Sequence, residues 1–154
     1  MISLRDVTVA YGSRVILNHI DLDIYDGETL VILGASGSGK STILKLLIGL
    51  LKPTGGQVLI DGQDITGFSE EELLNVRKRM GMVFQYSALF DSMTVGENVA
   101  FGLRQHTAYD EEKIEAIVKE KLHLVGLYGT EQMMPNSLSG GMKKRVSLAR
   151  AIVL

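Results

Sequence analysis

The chain contains no cysteine. That excludes disulfides and thiolate metal sites, and it fits a reducing compartment without proving one. No apolar run reaches the roughly 18 residues that a membrane-spanning helix needs. The opening Met1-Ile2-Ser3-Leu4-Arg5-Asp6 has no apolar h-region of a signal peptide. No single sign of charge dominates: 16 Lys and Arg stand against 18 Asp and Glu, a net charge of −2. Such a balance argues against a nucleic-acid footprint. There is no internal repeat and no low-complexity tract. The three histidines, His19, His106 and His123, are scattered without metal-ligand spacing and read as ordinary surface or core residues. What remains is 154 residues with 45% hydrophobic content, the profile of one ordinary globular domain.

Against this background one stretch stands out: Gly34-Ala35-Ser36-Gly37-Ser38-Gly39-Lys40-Ser41-Thr42. It satisfies the P-loop pattern G-x-x-x-x-G-K-[ST] at every fixed position. Leu30-Val31-Ile32-Leu33 before it reads as a buried strand. Residues 42–51 after it read as a buried helix, with Ile43, Leu46, Leu47, Ile48, Leu50 and Leu51 apolar. Pro53 blocks further continuation. The chemistry explains the residue types. A phosphate chain is wrapped by inward-pointing backbone N–H groups, which needs conformations that glycine adopts most readily. The N-terminus of the following helix adds unsatisfied N–H groups and partial positive charge. Lys40 reaches the β- and γ-phosphates in such a loop, and the Ser41 hydroxyl ligates Mg²⁺.

The rest of the chain places this loop in order. Residues 2–10 read as a strand ended by Tyr11-Gly12. Residues 19–25 alternate as a half-buried antiparallel strand, with Ile20, Leu22 and Ile24 on one face. Val58-Leu59-Ile60 is a short strand, and Asp61-Gly62 suggests a hairpin turn. Ser69-Glu70-Glu71-Glu72 is a capping box for a helix to about Arg79, before Gly81. Met82-Val83-Phe84 reads as another buried strand, closing at Gln85. Thr94-Val95-Gly96-Glu97 opens a short helix through Leu103. Asp110 caps a longer one that Gly126 ends. Residues 86–136 are therefore expected to be mainly helical, an insertion into an α/β core.

Two further features have open readings on their own. Tyr11 is either a stacking platform for a purine or a strand-end aromatic packed on the sheet rim. Leu138-Ser139-Gly140-Gly141-Met142 begins a helix with Met142, Val146, Ala149 and Val153 near one face. Ser139 is its N-cap. The start is either a second phosphate-ready helix terminus or a capped surface helix with a basic outer face.

Taken together, Tyr11, residues 34–42, Gln85 and Leu138-Ser139-Gly140-Gly141 resemble, over the whole chain, the nucleotide-binding domain of ATP-binding cassette (ABC) transporters. Met142 stands where most of that superfamily has glutamine. That variant, with Gly140-Gly141-Met142-Lys143-Lys144-Arg145 and Phe84-Gln85-Tyr86-Ser87-Ala88-Leu89-Phe90-Asp91, resembles the Mla/Mkl branch, the ATPases of Mce-linked phospholipid transporters. The resemblance implies an α/β P-loop NTPase (RecA-like) core with an N-terminal antiparallel β-subdomain and a helical insertion. It implies residues 1–85 as β-subdomain plus P-loop core, 86–136 as helical subdomain and 137–154 as signature loop and helix.

The resemblance also implies roles. ATP and Mg²⁺ are the cofactors, and Tyr11 stacks on adenine. Gln85 sits near Mg²⁺ and the attacking water. Ser139, Gly140 and Gly141 contact the γ-phosphate of ATP held by a second subunit, in a head-to-tail homodimer. The partners are that second subunit and a transmembrane permease, with no nucleic acid and no direct membrane insertion. The location is cytoplasmic, on the inner-membrane face. An ABC importer for amino acids or another small solute, or a soluble non-transport ABC ATPase, stays open as an alternative. The family's Walker B strand, with its Mg²⁺-supporting Asp and catalytic Glu, follows the signature helix and is not among residues 1–154. Val58-Leu59-Ile60-Asp61 is no substitute, because Gly62 follows where an acid is needed. This chain is accordingly expected to hydrolyse negligible ATP and to carry an exposed apolar edge at residues 30–33.

Overall fold

Apolar–polar alternation draws two long strands from the first residues, β1 (Ile2–Tyr11) and β2 (Arg14–Ile24). They pair as an antiparallel hairpin across Gly12-Ser13, with Leu4 opposite Leu22, Val9 opposite Leu17 and Tyr11 opposite Arg14. The computed structural model describes all residues, Met1–Leu154. They fall into two compact units, Met1–Arg77 and Lys78–Leu154.

In the first unit, β3 (Gly55–Ile60) adds to the free edge of β1, and β4 (Gln63–Asp64) follows it. The sheet order is β2-β1-β3-β4, antiparallel throughout. The Asp61-Gly62 hairpin forms as a two-residue turn with both residues left-handed, at φ 50° and 80°. Met1 closes the sheet's end: its ammonium bonds the carboxylates of Asp26 and Asp61 at 2.6 and 2.8 Å. Leu4, Val7, Val9, Leu17, Val58 and Ile60 are buried, together with Leu46 and Leu47 of helix α1 (Lys40–Leu47) and Leu73 of helix α2 (Glu70–Arg77).

Helix α1 is shorter than the apolar run after the P-loop suggests. It stops at Leu47 rather than Leu51. Gly49 is left-handed at φ 66°, its N–H bonds the Leu46 carbonyl, and the Leu50 N–H bonds that of Lys45. This is a Schellman stop, which favours glycine. A Cβ at Gly49 would also lie 2.6 Å from Leu73 Cδ2. Arg77 takes up the remaining carbonyls, bonding those of Ile48 and Gly49 at 3.0 and 2.9 Å. Helix α2 has its expected capping box, Ser69 with Glu72, and ends at Arg77 rather than Arg79.

Two strand expectations fail. Residues 30–33 and 82–84 form no strand. Val31 and Leu33 are 68% and 87% exposed. The apolar run has a strand-forming composition, but a strand exists only as a ladder. No other extended segment of the chain pairs with either stretch.

The second unit is helical. Helices α3 (Val95–His106), α4 (Glu111–Leu124) and α5 (Gly140–Ala151) enclose one apolar core. Val99 and Leu103 of α3, Ile114, Val118 and Leu122 of α4, and Val146 and Ala149 of α5 are its centre. Each helix starts on a side-chain cap: Thr94 with Glu97 as a full capping box, Asp110, and Ser139. Helix α3 runs three residues past its expected end at Leu103. Helix α5 stops at Ala151. Gly126 ends the α4 segment at φ 72°. No helix is long and apolar enough to cross a membrane.

Candidate functional site

The P-loop belongs to the first unit, carried on the face of β2. Gly39 is where it meets the sheet: φ is 92°, and a Cβ there would lie 2.8 Å from Leu17 Cδ2. Only glycine combines that left-handed turn with so close an approach. A Cβ at Gly34 would lie 2.7 Å from Ser38 Oγ, so the loop closes tightly on itself. Helix α1 begins at Lys40 with no side-chain cap. Its first N–H groups are thus an unsatisfied, positively polarised surface. Lys40 folds back over the loop, its ammonium 2.8 and 2.7 Å from the carbonyl oxygens of Gly34 and Ala35 and 3.4 Å from Ser38 Oγ. Ala35, Ser36, Gly37, Ser38 and Ser41 are exposed, and Thr42 is half-buried. The residues fit a polyphosphate: a glycine-turned loop, bare N–H groups and a lysine whose present partners are all neutral. They fit a divalent cation less fully, with the Ser41 and Thr42 hydroxyls at the start of α1 and no carboxylate among residues 34–42.

Tyr11 is in the same unit, at the tip of the β1–β2 hairpin and 58% exposed. More than half of its surface is open to solvent.

Gln85 and the 138–141 motif belong to the second unit. Gln85 is exposed in a turn in which the Ser87 N–H bonds the Phe84 carbonyl at 3.0 Å. Leu138 is buried and anchors the motif, while Ser139, Gly140 and Gly141 are exposed. Ser139 Oγ accepts from the Met142 N–H at 3.2 Å. Met142 packs against the helical core, as do Val146, Ala149 and Val153. A Cβ at Gly140 or Gly141 would meet nothing within 4 Å. Nothing inside the chain requires glycine at these two positions, although glycine weakens a helix's first turn.

No group of three or more His, Asp and Glu gathers as a metal site. The histidines are spread as their spacing suggests, yet folding brings His19 Nδ1 to 2.6 Å from Asp6 Oδ1, on the surface. Residue-by-residue reading missed Asn98 and Arg150. Asn98 is fully buried, and its amide bonds the Phe90 N–H and the carbonyls of Phe90, Met93 and Thr94. Arg150 bonds the carbonyls of Ala88 and Ser87 at 2.8 and 3.1 Å. Its signal was present: it lies four residues after Val146, on the inward stripe of α5.

Comparison with known proteins gives a consistent result. The profile of the ABC transporter family matches residues 17–154. The chain is 51% identical over 153 residues to the probable ribonucleotide transport ATP-binding protein mkl of Mycobacterium leprae, covering 99% of this chain and 44% of that protein. It is 48% identical over 154 residues to the intermembrane phospholipid transport system ATP-binding protein MlaF of Haemophilus influenzae, covering 100% of this chain and 58% of that one. The chain thus spans about half the length of these curated relatives. Its structure superposes on the dimeric post-hydrolysis state of the ATP-binding cassette MJ0796 bound to ADP and Pi. The TM-score is 0.91 at 36% identity, over 99% of this chain and 69% of that one. These neighbours carry the P-loop NTPase fold class read from the motifs.

Proposed function

Because this chain belongs to the ABC transporter family, we propose that it is the ATP-binding part of a transporter ATPase that couples ATP binding and hydrolysis to phospholipid movement at the bacterial inner membrane. The observation that carries the nucleotide reading is the uncapped start of α1 behind a glycine-turned loop, with Lys40 held over it by neutral oxygens, two carbonyls and the Ser38 hydroxyl. Phosphate oxygens are stronger acceptors for an ammonium than neutral carbonyls. An entering triphosphate therefore draws Lys40 onto its β- and γ-phosphates, while the N–H groups of residues 37–42 bind the same oxygens. Tyr11 offers its open face to the adenine. Ser41 and Gln85 are the residues that would hold Mg²⁺, which neutralises charge between the β- and γ-phosphates when bound.

The exposed glycines at 140 and 141 support the role of the second motif. With open space around them, their small size answers to something outside this chain. A γ-phosphate held by a second copy, brought against the N-terminus of α5, fits that need. The partners in this reading are a second nucleotide-binding subunit, head to tail, and a permease that keeps the ATPase on the cytoplasmic face of the inner membrane. Residues 1–85 act as the nucleotide core, 86–136 as the helical subdomain and 137–154 as the signature segment. The name of the MlaF relative favours phospholipid as cargo; that of the mkl relatives supports ribonucleotide as a second reading.

The test is ATP affinity and turnover in the full-length protein that carries this chain, with Lys40→Ala as comparison. Loss of at least about a hundredfold in kcat/KM is expected from removing a charge-assisted phosphate contact. Unchanged turnover in Lys40→Ala would overturn the site. Stimulation of the permease-reconstituted ATPase by phospholipid vesicles, set against ribonucleotide, decides the cargo.

A further inference from the structure

Within the second unit, the residues just beyond Gln85 are held by side chains from two helices. Ser87 and Ala88 are consecutive non-glycine residues in the left-handed region, at φ 65° and 46°. Such a conformation persists only where surrounding contacts enforce it. Ser87 is buried, and the turn's own bonds are Ser87 N–H to Phe84 and Ala88 N–H to the Tyr86 carbonyl. The outward carbonyls of Ser87 and Ala88 are both taken by the fork of Arg150. At the far end, Asn98 of α3 bonds both the N–H and the carbonyl of Phe90. The Arg150 guanidinium also lies 5.8 Å from the centroid of the Phe90 ring.

Arg150 is half-buried, forms no ion pair with any carboxylate, and its burial pushes the guanidinium pKa down. A cation in such a place is an inefficient packing residue, because its desolvation is repaid only by neutral carbonyls. Its geometry is nonetheless specific. A planar fork spans two successive carbonyls, which a lysine cannot do. Behind it, Gly81 packs so tightly on α5 that a Cβ would overlap the Ala151 carbonyl oxygen.

We propose that Arg150 is a positioning residue for Gln85: it ties the turn that follows Gln85 to helix α5, so that displacement of the Ser139-Gly140-Gly141 end of that helix moves Gln85. The device connects the two motifs of the second unit through one side chain. It rests on the ATPase reading above, since that reading supplies the role of Gln85.

The experiment uses the full-length protein with Arg150→Met and Arg150→Lys. It measures kcat and KM for ATP, and amide hydrogen exchange of residues 84–90 against residues 111–124. In Arg150→Met, kcat is expected to fall about ten- to a hundredfold with KM for ATP changed less than about threefold, as misplacement of a catalytic group predicts. Exchange at Ser87 and Ala88 should rise while α4 stays protected. Arg150→Lys should recover part of kcat by reaching one of the two carbonyls. An unchanged kcat in Arg150→Met overturns the proposal. So does loss of protection across α3 and α4, or failure of both variants to fold, because Arg150 would then be a core residue. The wild-type protein separates the two readings. Absence of Lys40-dependent turnover defeats the ATPase reading, whereas such turnover with an Arg150-insensitive kcat defeats only this one.

Discussion

Leu122 in Lys78–Leu154 lies on the apolar face of helix α4 and Leu33 in Met1–Arg77 ends an apolar run, yet one is fully buried and the other 87% exposed. The helical unit makes its backbone bonds inside each helix, so its elements form before their core faces meet. The sheet unit is closed only where hairpins bring neighbours together, as β1 does with β2 and β3. Residues 30–33 have the composition of a central parallel strand and no neighbour to pair with. Backbone pairing is therefore what separates the two leucines, not hydrophobicity. A helix completes itself, while a parallel strand depends on segments far away in the chain.

The comparison is most easily broken at Asn98. Replacing it by alanine leaves the Phe90 N–H and three carbonyls without their buried partner. Destabilisation of about 3–5 kcal/mol is expected for the helical unit. Urea unfolding followed by amide exchange should show the loss in residues 95–151, with the β1–β2 hairpin unaffected. An equal loss in both units would mean that they do not close independently.

Gly49→Ala probes the sheet unit in the same way. The left-handed φ and the contact with Leu73 both penalise a Cβ, and a cost of about 2 kcal/mol is expected. Thermal melting should detect it, and the α3–α5 amides should keep their protection.

Acid gives a smaller, graded contrast. The carboxyls of Asp23 (beside Arg5 and Ser3), Asp64 (bonded by Thr66) and Glu72 (bonded by Ser69) are held below their ordinary range, and all three lie in the sheet unit. In the helical unit Glu111 is the one carboxyl lowered, by Arg104. A lowered folded-state pKa adds stability above the ordinary value that is lost as pH falls through the folded value. Acidification below the ordinary carboxylate values of 3.8 and 4.5 should therefore loosen the sheet unit first. The Met1 ammonium, raised by Asp26 and Asp61, has the opposite sign. Its contribution is present below 8.0 and is lost as pH rises through the higher folded value. A pH series of amide exchange that loosens the helical unit first would contradict this.

Much of the local structure was legible. Ser69, Thr94, Asp110 and Ser139 each mark a helix start, because a capping hydroxyl or carboxylate satisfies N–H groups only two or three residues away. Asp61-Gly62 marks its hairpin for the same local reason. The P-loop pattern was legible because it encodes both a backbone shape and a charge. What was not legible depended on distance. Arg77 bonds the carbonyls just past α1 from 28 and 29 residues away, and Arg150 reaches Ala88 across 62. No periodicity reports a side chain that bonds another segment's backbone. The apolar pattern overshoots the end of helix α1 because Leu50 and Leu51 extend it past Gly49, whose backbone conformation decides the end.

The sequence by itself determined the family, the P-loop pattern, the Leu138-Ser139-Gly140-Gly141 motif and the helix starts, since each is written within a few residues. Tertiary structure decided which apolar runs became core. It left residues 30–33 and 82–84 unpaired and placed Arg150 against the turn after Gln85. Strand ladders and buried polar bonds are made between partners far apart in sequence, and only folding selects those partners.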